Sequence, residues 1–198
     1  MTTARPDTLM DVIRLRRSVR VFIDRPIYDD VLESIGRSVE VAARAWDIRS
    51  ARIIIAREPG LVRRLRRAVF SGLLGKINPW MVTTKAPAII VACGYPEQSP
   101  SPSVGDRMTY LAEASMLMEV TLLAAAEHGL GTCWLGGFGE SGVKRALSLD
   151  DRMRVVAVSP LGYPSEKIRA ESGAYMREGR ASLRRMELDE LVTMVEGT

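Results

Sequence analysis

Residues 108–128, MTYLAEASMLMEVTLLAAAEH, form the longest helical pattern in the chain, and this stretch decides the fold. Its apolar side chains cover nearly the whole circumference of the predicted helix instead of one stripe. A helix that is apolar all round must be buried all round. A single small domain cannot easily cover such a helix, so we expect a partner subunit on one side of it. His128, the only histidine, is expected to cap the helix end rather than to catalyse.

Shorter patterns on both sides of the long helix predict a sheet with flanking helices. Short apolar segments predict buried strands at 52–56 (RIIIA), 88–93, 131–135 and 153–161. Further helices are predicted from Asp7 to Arg16 or Arg17 and at 31–42, 59–71, 139–147 and 188–195. In the first of them, Leu9, Val12 and Ile13 are expected to face inward, and residues 72–87 are expected to form a loop. Strands separated by helices indicate an α/β or α+β sandwich with one central sheet.

Composition favours an ordinary soluble protein. With 198 residues, 46% hydrophobic and 26% charged, the chain is expected to form one domain over residues 1–198. The net charge of +4 suits a small anionic ligand at least as well as nucleic acid, and the basic run at 63–67 is expected to be a solvated helix face. The most apolar stretch, 111–126, contains Glu113 and Glu119, so no membrane span is expected.

Three arginines and a serine lie together where the first predicted helix ends, in Arg16-Arg17-Ser18-Val19-Arg20. Arginine carries a planar fork of donors that matches phosphate oxygens, and a serine hydroxyl adds one more hydrogen bond. The alternative is that these arginines interact with the helix dipole and with the last carbonyls of the helix. The segment therefore predicts either a phosphate site or a helix terminus.

No familiar set of catalytic side chains is present. The single histidine excludes a multi-histidine metal site, and neither a nucleophile elbow nor a P-loop occurs. Cys93 and Cys133 lie in apolar runs and are expected to be buried thiols in a reducing cytoplasm. A glycine pair, Gly136-Gly137, follows the third predicted strand. A chain without its own acid, base or nucleophile can still be an enzyme when a cofactor supplies the chemistry.

Four segments, taken in this order, resemble the nitroreductase family of flavoproteins: RRSVRVF (16–22), KAPAIIV (85–91), HGLGTCWLGGF (128–138) and SPLGYPSE (159–166). The resemblance covers nearly the whole chain. It implies an α+β fold, with a nitroreductase-like central mixed sheet flanked by helices and with the long buried helix at a dimer interface. It also implies a homodimer that holds FMN between its subunits and passes electrons from NADH or NADPH to nitroaromatics, quinones or similar acceptors.

The resemblance also implies roles for individual residues. Arg16, Ser18 and Arg20 would hold the phosphate and ribityl chain of FMN, with Arg17 close by. The turn at Gly136-Gly137 would direct backbone N–H groups at N5 and the ring edge, because glycine lets the backbone approach a flat ligand closely. At 184–192, RRMELDELV resembles the family's closing basic pair and helix, so Arg185 or Arg184 would be a further phosphate contact. The alternative for that pair is a solvated surface.

One segment departs from the family pattern. Where the family has Pro-Ser-x-x-Asn-x-Gln to bind the pyrimidine edge of the flavin, residues 43–49 are ARAWDIR, with Asp47 at the Asn position and Arg49 at the Gln position. A carboxylate cannot donate a hydrogen bond as an amide does. Arg49 either stabilises negative charge on reduced flavin or pairs with Asp47. Trp46 is expected in the core rather than stacked on the flavin.

The predicted function is therefore an FMN-dependent, cytoplasmic oxidoreductase that transfers hydride from NAD(P)H to nitroaromatic, quinone or related acceptors by a ping-pong mechanism. Two alternatives stay open. The first is specialised flavin chemistry, such as dehalogenation, dehydrogenation or flavin breakdown. The second is a flavin-binding or structural dimer without catalysis. No partner nucleic acid, membrane or metal is expected.

Overall fold

The structure is a computed structural model that describes residues 6–75, 77–96, 106–165 and 191–192. The chain divides into two compact units, Met1–Ser165 and Glu166–Thr198. All of the helices and strands below belong to the first unit. Arg184 and Arg185, with most of the helix expected at 188–195, lie outside the described residues.

Four strands form one sheet in the order β1-β2-β4-β3. They are β1 Ala51–Ala56, β2 Ala88–Gly94, β3 Gly131–Thr132 and β4 Arg154–Gly162. All three ladders are antiparallel, and a parallel bridge from Ser18 to Thr132 adds a mixed pairing at the β3 edge. The predicted strands are confirmed, although the third is shorter than expected: after Thr132 the chain leaves the sheet and returns by a single bridge between Leu135 and Val158.

Six α-helices surround the sheet in the described part of the chain. They are α1 Leu9–Leu15, α2 Asp29–Ala45, α3 Pro59–Phe70, α4 Gly72–Gly75, α5 Asp106–Glu127 and α6 Glu140–Leu147, and a 3₁₀ turn spans Pro79–Met81. The expectation of a plain loop over 72–87 is wrong in part, because this segment contains α4 and the 3₁₀ turn. Proline at the first position of the 3₁₀ turn supplies a φ angle already suited to it.

The core lies in two layers, one on each face of the sheet. Successive side chains of a strand point to opposite faces, so Ile90 packs with α2 and α5 while Ile89 packs with α3 and α6. All seven residues of β2 are buried, as expected for a central strand that is covered on both faces. The α+β class is therefore confirmed, with helices on both faces of an antiparallel sheet.

Helix α5 is the core helix of this fold. Leu117, Met118 and Leu122 are buried against the sheet and α2, whereas Met116 is 42% exposed. Contrary to expectation, its stretch Thr109–Glu127 is long and apolar enough to cross a membrane by length and composition. More than half of its apolar 18-residue window, 56%, is buried inside the fold, so packing in the core accounts for its apolar composition.

Helix α1 differs from its prediction. Its N-cap is Thr8 rather than Asp7, since the Thr8 hydroxyl accepts a hydrogen bond from the Asp11 N–H at 3.2 Å. Leu9 and Ile13, expected to face inward, are 68% and 48% exposed. The described part of the chain buries no residue of α1, although the helix contacts α5. The amphipathic pattern was present, but its apolar face meets too little of the chain's own surface to be covered.

Candidate functional site

An extended segment, residues 16–23, follows α1 and is called the strap here. It is fixed to the β3 and β4 end of the sheet by backbone hydrogen bonds: Val19 N–H donates to the Thr132 carbonyl at 2.7 Å, and Ile23 N–H donates to the Tyr163 carbonyl at 3.0 Å. Phe22 is 2% exposed and anchors the strap between these bonds. The arginines of the strap therefore lie on a defined backbone and not on a loose terminus.

Packing at Val19 fixes how the strap lies on β3. A Cβ added to Gly131 would lie 2.8 Å from the Val19 side chain, so glycine is required there for the strap to lie on β3. Ser18 forms a parallel bridge with Thr132, and Arg20 follows Val19 on the same segment. Two of the residues predicted to bind phosphate therefore lie on a backbone that is fixed to the sheet.

Arg16 and Arg17 complete the cluster at the start of the strap. Arg16 Nε lies 3.2 Å from Glu119 Oε1 on α5, and Arg17 is exposed. A guanidinium has five N–H donors, so a single ion pair through Nε leaves Arg16 able to bind an anion as well. The nearby carboxylate also orients the Arg16 side chain.

Arg20 lies over an aromatic ring. Its guanidinium carbon lies 5.9 Å from the centroid of the Trp80 ring, on the 3₁₀ turn. A guanidinium that is attracted to a ring in this way still has N–H donors that can bind a phosphate. Trp80 was not singled out from the sequence, because a tryptophan between Pro79 and Met81 is as typical of core packing as of a site.

The turn at Gly136-Gly137 is held at both ends. Leu135 N–H donates to the Val158 carbonyl at 2.8 Å, and Gly139 N–H donates to the Val69 carbonyl at 3.1 Å. In its middle, the Gly137 carbonyl accepts a hydrogen bond from Asn78 Nδ2 at 2.9 Å. Asn78 is a second site neighbour that the sequence did not reveal.

The backbone at Gly136 is open enough for a flat ligand to approach it closely. It is exposed, and an added Cβ would meet no atom of the described chain within 4 Å. At Gly139, by contrast, an added Cβ would lie 2.2 Å from Ser71 Oγ. Close packing inside the fold therefore explains why residue 139 is glycine. At Gly136 the space beside the backbone is open, so a planar ring could approach it.

Asp47 and Arg49 form a closed ion pair. Arg49 Nε and Nη2 donate to the two Asp47 carboxylate oxygens at 3.0 and 2.7 Å. The hydrogen bond from Arg49 lowers the pKa of Asp47, and the same bond raises the pKa of Arg49. Asp47 adopts a left-handed φ of 51°, which aspartate tolerates better than most residues. The structure shows the predicted pairing of Arg49 with Asp47, and the role toward reduced flavin stays a prediction.

The loop that carries this pair is anchored by a buried carboxylate. Glu113 on α5, 8% exposed, accepts hydrogen bonds from the Ser50 N–H at 2.8 Å and the Ser50 hydroxyl at 2.6 Å. A charged residue inside an apolar helix was the available sequence signal for this contact. Trp46, expected in the core, is 48% exposed, because it caps the C-terminus of α2 beyond the packed face of that helix.

The remaining predicted groups contribute no acid, base or nucleophile. His128 follows α5 as expected, and its Nε2 lies 2.9 Å from Ser34 Oγ on α2, so the ring links two helices. Cys93 and Cys133 are buried, and burial raises the pKa of the Cys93 thiol to about 11. A groove of about 290 Å³ between α2 and β1 is lined by Leu32, Ile55 and charged residues, and contains no predicted site residue.

Comparisons with known proteins define the class. The Nitroreductase family matches residues 13–163, so the chain belongs to the nitroreductase family. This range contains the strap, the turn and all four strands. The resemblance inferred from the sequence is thereby confirmed.

Individual relatives are similar over most of their length. A nitroreductase family protein from Clostridium novyi NT has a TM-score of 0.67 at 29% identity, and covers 81% of this chain and 87% of its own. An Archaeoglobus fulgidus protein with the provisional name NADH dehydrogenase/NAD(P)H nitroreductase is 28% identical over 162 residues, 80% of this chain and 86% of its own. A Clostridium difficile R20291 structure titled FMN-dependent nitroreductase has a TM-score of 0.64 at 20% identity, and covers 79% of this chain and 88% of its own.

Proposed function

We propose that the protein is an FMN-dependent oxidoreductase that transfers hydride from NADH or NADPH to nitroaromatic, quinone or related acceptors by a ping-pong mechanism. The observation that carries this proposal is one loop that contacts both predicted groups: Asn78 donates a hydrogen bond to the Gly137 carbonyl, beside the open backbone at Gly136, and Trp80 lies beneath the Arg20 guanidinium of the strap. Cationic donors and an accessible glycine backbone are what a phosphorylated, planar cofactor requires.

The residues of the strap would hold the phosphate end of the cofactor. Arg16 and Arg20 would bind phosphate oxygens with their planar donors, Ser18 would add a hydroxyl donor, and Arg17 would contribute charge nearby. Gly136-Gly137 would lie against the ring. Arg184 or Arg185 remains a further phosphate contact that the family resemblance implies.

FMN, when bound, supplies hydride transfer, and the protein supplies binding, orientation and electrostatics. This division agrees with the side chains present. The single histidine is held between α5 and α2 by Ser34, and the Cys93 thiol stays protonated at neutral pH because its pKa is raised to about 11. Neither is arranged as a nucleophile or a general base.

We also propose a homodimer. The strap pairs with β3 at one edge of the sheet, whereas Asp47 and Arg49 precede β1 at the other edge. One chain therefore does not bring together both groups that the family resemblance assigns to the cofactor, but two chains could. The exposed apolar residues of α1 supply a surface for a second copy to bury.

The comparisons support the cofactor and the hydride donor, and the cysteines support the cellular location. The Clostridium difficile structure is titled FMN-dependent, and the Archaeoglobus fulgidus name specifies NADH and NAD(P)H. By similarity, FMN and a nicotinamide hydride donor are proposed for this chain as well. We further propose a cytoplasmic location, because buried cysteine thiols persist in a reducing compartment.

The cofactor proposal is tested by comparing FMN with riboflavin, which lacks the phosphate. Arg16→Ala and Arg20→Ala should each weaken FMN binding by about 10- to 100-fold, since a hydrogen bond to a charged group contributes about 1.5–3 kcal/mol. Riboflavin binding should change little. Arg14→Ala is the matched control, because Arg14 is an exposed arginine on α1 that pairs with Asp11. Equal losses for both ligands would show that the strap does not bind the phosphate.

Turnover needs a separate measurement. Oxidation of NADH or NADPH should depend on FMN, and double-reciprocal plots at several quinone or nitroaromatic concentrations should give parallel lines. Intersecting lines would rule out the ping-pong scheme while leaving the cofactor proposal intact.

The closed Asp47–Arg49 pair favours one alternative, specialised flavin chemistry, because it replaces the amides that the family uses at the pyrimidine edge. Dehalogenation, dehydrogenation and flavin breakdown belong to this class. A flavin-loaded protein that neither nicotinamide reduces would support this alternative or a flavin-binding dimer without catalysis. Reduction of the bound flavin by NADH or NADPH would exclude the flavin-binding dimer without catalysis.

A further inference from the structure

We propose that Asn78 and Trp80 are positioning residues on a single rigid loop. Asn78 holds the glycine turn at one end of the cofactor site, and Trp80 holds Arg20 of the strap at the other end. This proposal rests on the proposed FMN function. The two side chains lie two residues apart on the loop of the 3₁₀ turn Pro79–Met81. One contacts the glycine turn, and the other contacts the strap.

The Asn78 contact fixes the middle of the glycine turn. Hydrogen bonds from Leu135 and Gly139 hold only the ends of this turn, and glycine has more backbone freedom than any other residue. The 2.9 Å hydrogen bond from Asn78 Nδ2 to the Gly137 carbonyl orients the Gly137–Phe138 peptide, which adjoins the Gly136–Gly137 peptide. Asn78 therefore determines how the backbone is presented beside Gly136.

The Trp80 contact fixes the phosphate end. Arg20 has a long side chain with considerable rotamer entropy, and a cation–π contact with the indole, at 5.9 Å from the ring centroid, favours one arrangement of it. The restricted guanidinium keeps its in-plane donors available to an anion. Trp80 thereby lowers the entropic cost of ordering Arg20 when phosphate binds.

The loop is rigid enough to act on both ends. Met81 is fully buried among the residues of α3, including Leu65 and Val69. The N–H of Met81 donates to the Asn78 carbonyl at 3.1 Å, and the N–H of Val82 donates to the Pro79 carbonyl at 3.2 Å. The core therefore anchors the turn, and the turn carries both contacts at a fixed spacing.

The proposal makes different predictions for the two residues. Trp80→Leu should weaken FMN binding about two- to fivefold and leave riboflavin binding unchanged, because it acts through Arg20 on the phosphate. Trp80→Phe should restore FMN affinity to within about twofold of the parent, since it keeps an aromatic face. Asn78→Asp keeps the side-chain volume but removes the donor, so it should weaken FMN and riboflavin equally, about fivefold each.

The measurement is fluorescence titration with FMN and riboflavin, followed by the visible absorption spectrum at saturating flavin. Asn78→Asp should shift that spectrum, because the peptide beside the ring is reoriented, and weaker binding alone cannot shift it at saturation. Val82→Ala is the matched control: Val82 is 42% exposed on the same loop and should change neither the affinities nor the spectrum.

Specific outcomes would overturn the proposal. A Trp80→Leu variant that weakens both ligands equally, or an Asn78→Asp variant with an unchanged spectrum, would indicate a merely structural loop. If Arg20→Ala weakens FMN selectively while all loop variants bind both ligands normally, the inference fails and the proposed function stands. If the parent protein binds no flavin, the proposed function itself fails.

Discussion

Helices α5 and α1 are both rich in apolar residues, yet the chain buries one and leaves the other uncovered. Leu122 on α5 is fully buried between the sheet and α2, whereas Leu9 on α1 is 68% exposed. The difference lies in their partners within the chain. Helix α5 packs against α2, β1 and β2, while α1 contacts α5 through a small part of its surface.

This contrast adds a second surface to the argument for a second subunit. Helix α5 packs on α2 and the sheet but leaves Met116 42% exposed, so a partner subunit on its other side stays a prediction. A further uncovered apolar surface lies on α1 and the strap, where Met10, Ile13 and Val21 are 55%, 48% and 39% exposed. An apolar helix therefore indicates burial, but not which surface of the molecule provides it.

The largest expected effect comes from the buried helix. Leu122→Ala should lower the free energy of unfolding by about 2–5 kcal/mol, because it removes buried methyl groups and leaves a cavity. Leu9→Ala deletes the same atoms from α1 and should cost about 0.5 kcal/mol or less in the monomer. Urea unfolding at low protein concentration gives both values. Similar losses for the two variants would mean that α1 is buried in the folded chain.

Much of the fold could be predicted because its signals are local. The run of β-branched residues in β1 and the all-apolar β2 identify buried strands, and caps and glycines mark most helix boundaries within two residues. The inward face of α1 was predicted wrongly, because the pattern shows that a helix has an apolar face but not that the chain supplies a surface to cover it. The length of β3 was predicted too long for a similar reason, since pairing depends on the opposite strand.

The residues of the candidate site also fall into those that could be predicted from the sequence and those that could not. The arginines of the strap and the glycine pair were identified from residue type and order, and their role stays a proposal. Asn78, Trp80 and Glu113 were not identified, because each acts through a residue 50 or more positions away in the sequence, such as Gly137 or Ser50. A residue type can hint at such a contact, as a glutamate inside an apolar helix does at Glu113, but only the folded structure reveals its partner.

A medium effect should come from the exposed apolar face of α1. Ile13→Lys should weaken self-association about tenfold or more, since burying an isoleucine side chain contributes about 1.5–3 kcal/mol. Sedimentation or light scattering over a range of protein concentrations measures the change. The unfolding midpoint of the parent should also rise with concentration, as expected for a dimer.

Val41→Lys is the matched control for this prediction. Val41 is 67% exposed near the end of α2, and lysine suits the C-terminal part of either helix. A single exposed valine is ordinary on a protein surface, so its replacement should not alter association. If the parent is a monomer with flavin bound, both the dimer proposal and the role of α1 are wrong.

The smallest effect is expected for a partly exposed ion pair, which is less buried than the core residues of α5 and less exposed than Leu9 on α1. Glu140, in the first turn of α6, accepts hydrogen bonds from Arg154 Nε at 2.8 Å and from the Val155 N–H at 3.1 Å. The hydrogen bond from Arg154, followed by that from Val155, lowers the pKa of Glu140 below its usual 4.5. A lowered folded-state pKa means that this stabilisation is fully present above pH 4.5 and is lost as the pH falls through the folded-state value.

Glu140→Gln should therefore reduce the free energy of unfolding by about 0.5 kcal/mol at pH 7, in the range measured for exposed ion pairs. The difference from the parent should shrink as the pH falls below 4.5 and disappear once Glu140 is protonated in the folded protein. Glu33→Gln on α2 is the control, because Glu33 and Arg37 lie 3.6 Å apart on an open helix surface. A difference that persists unchanged in acid would show that geometry at the start of α6, rather than the charge of Glu140, supplies the stabilisation.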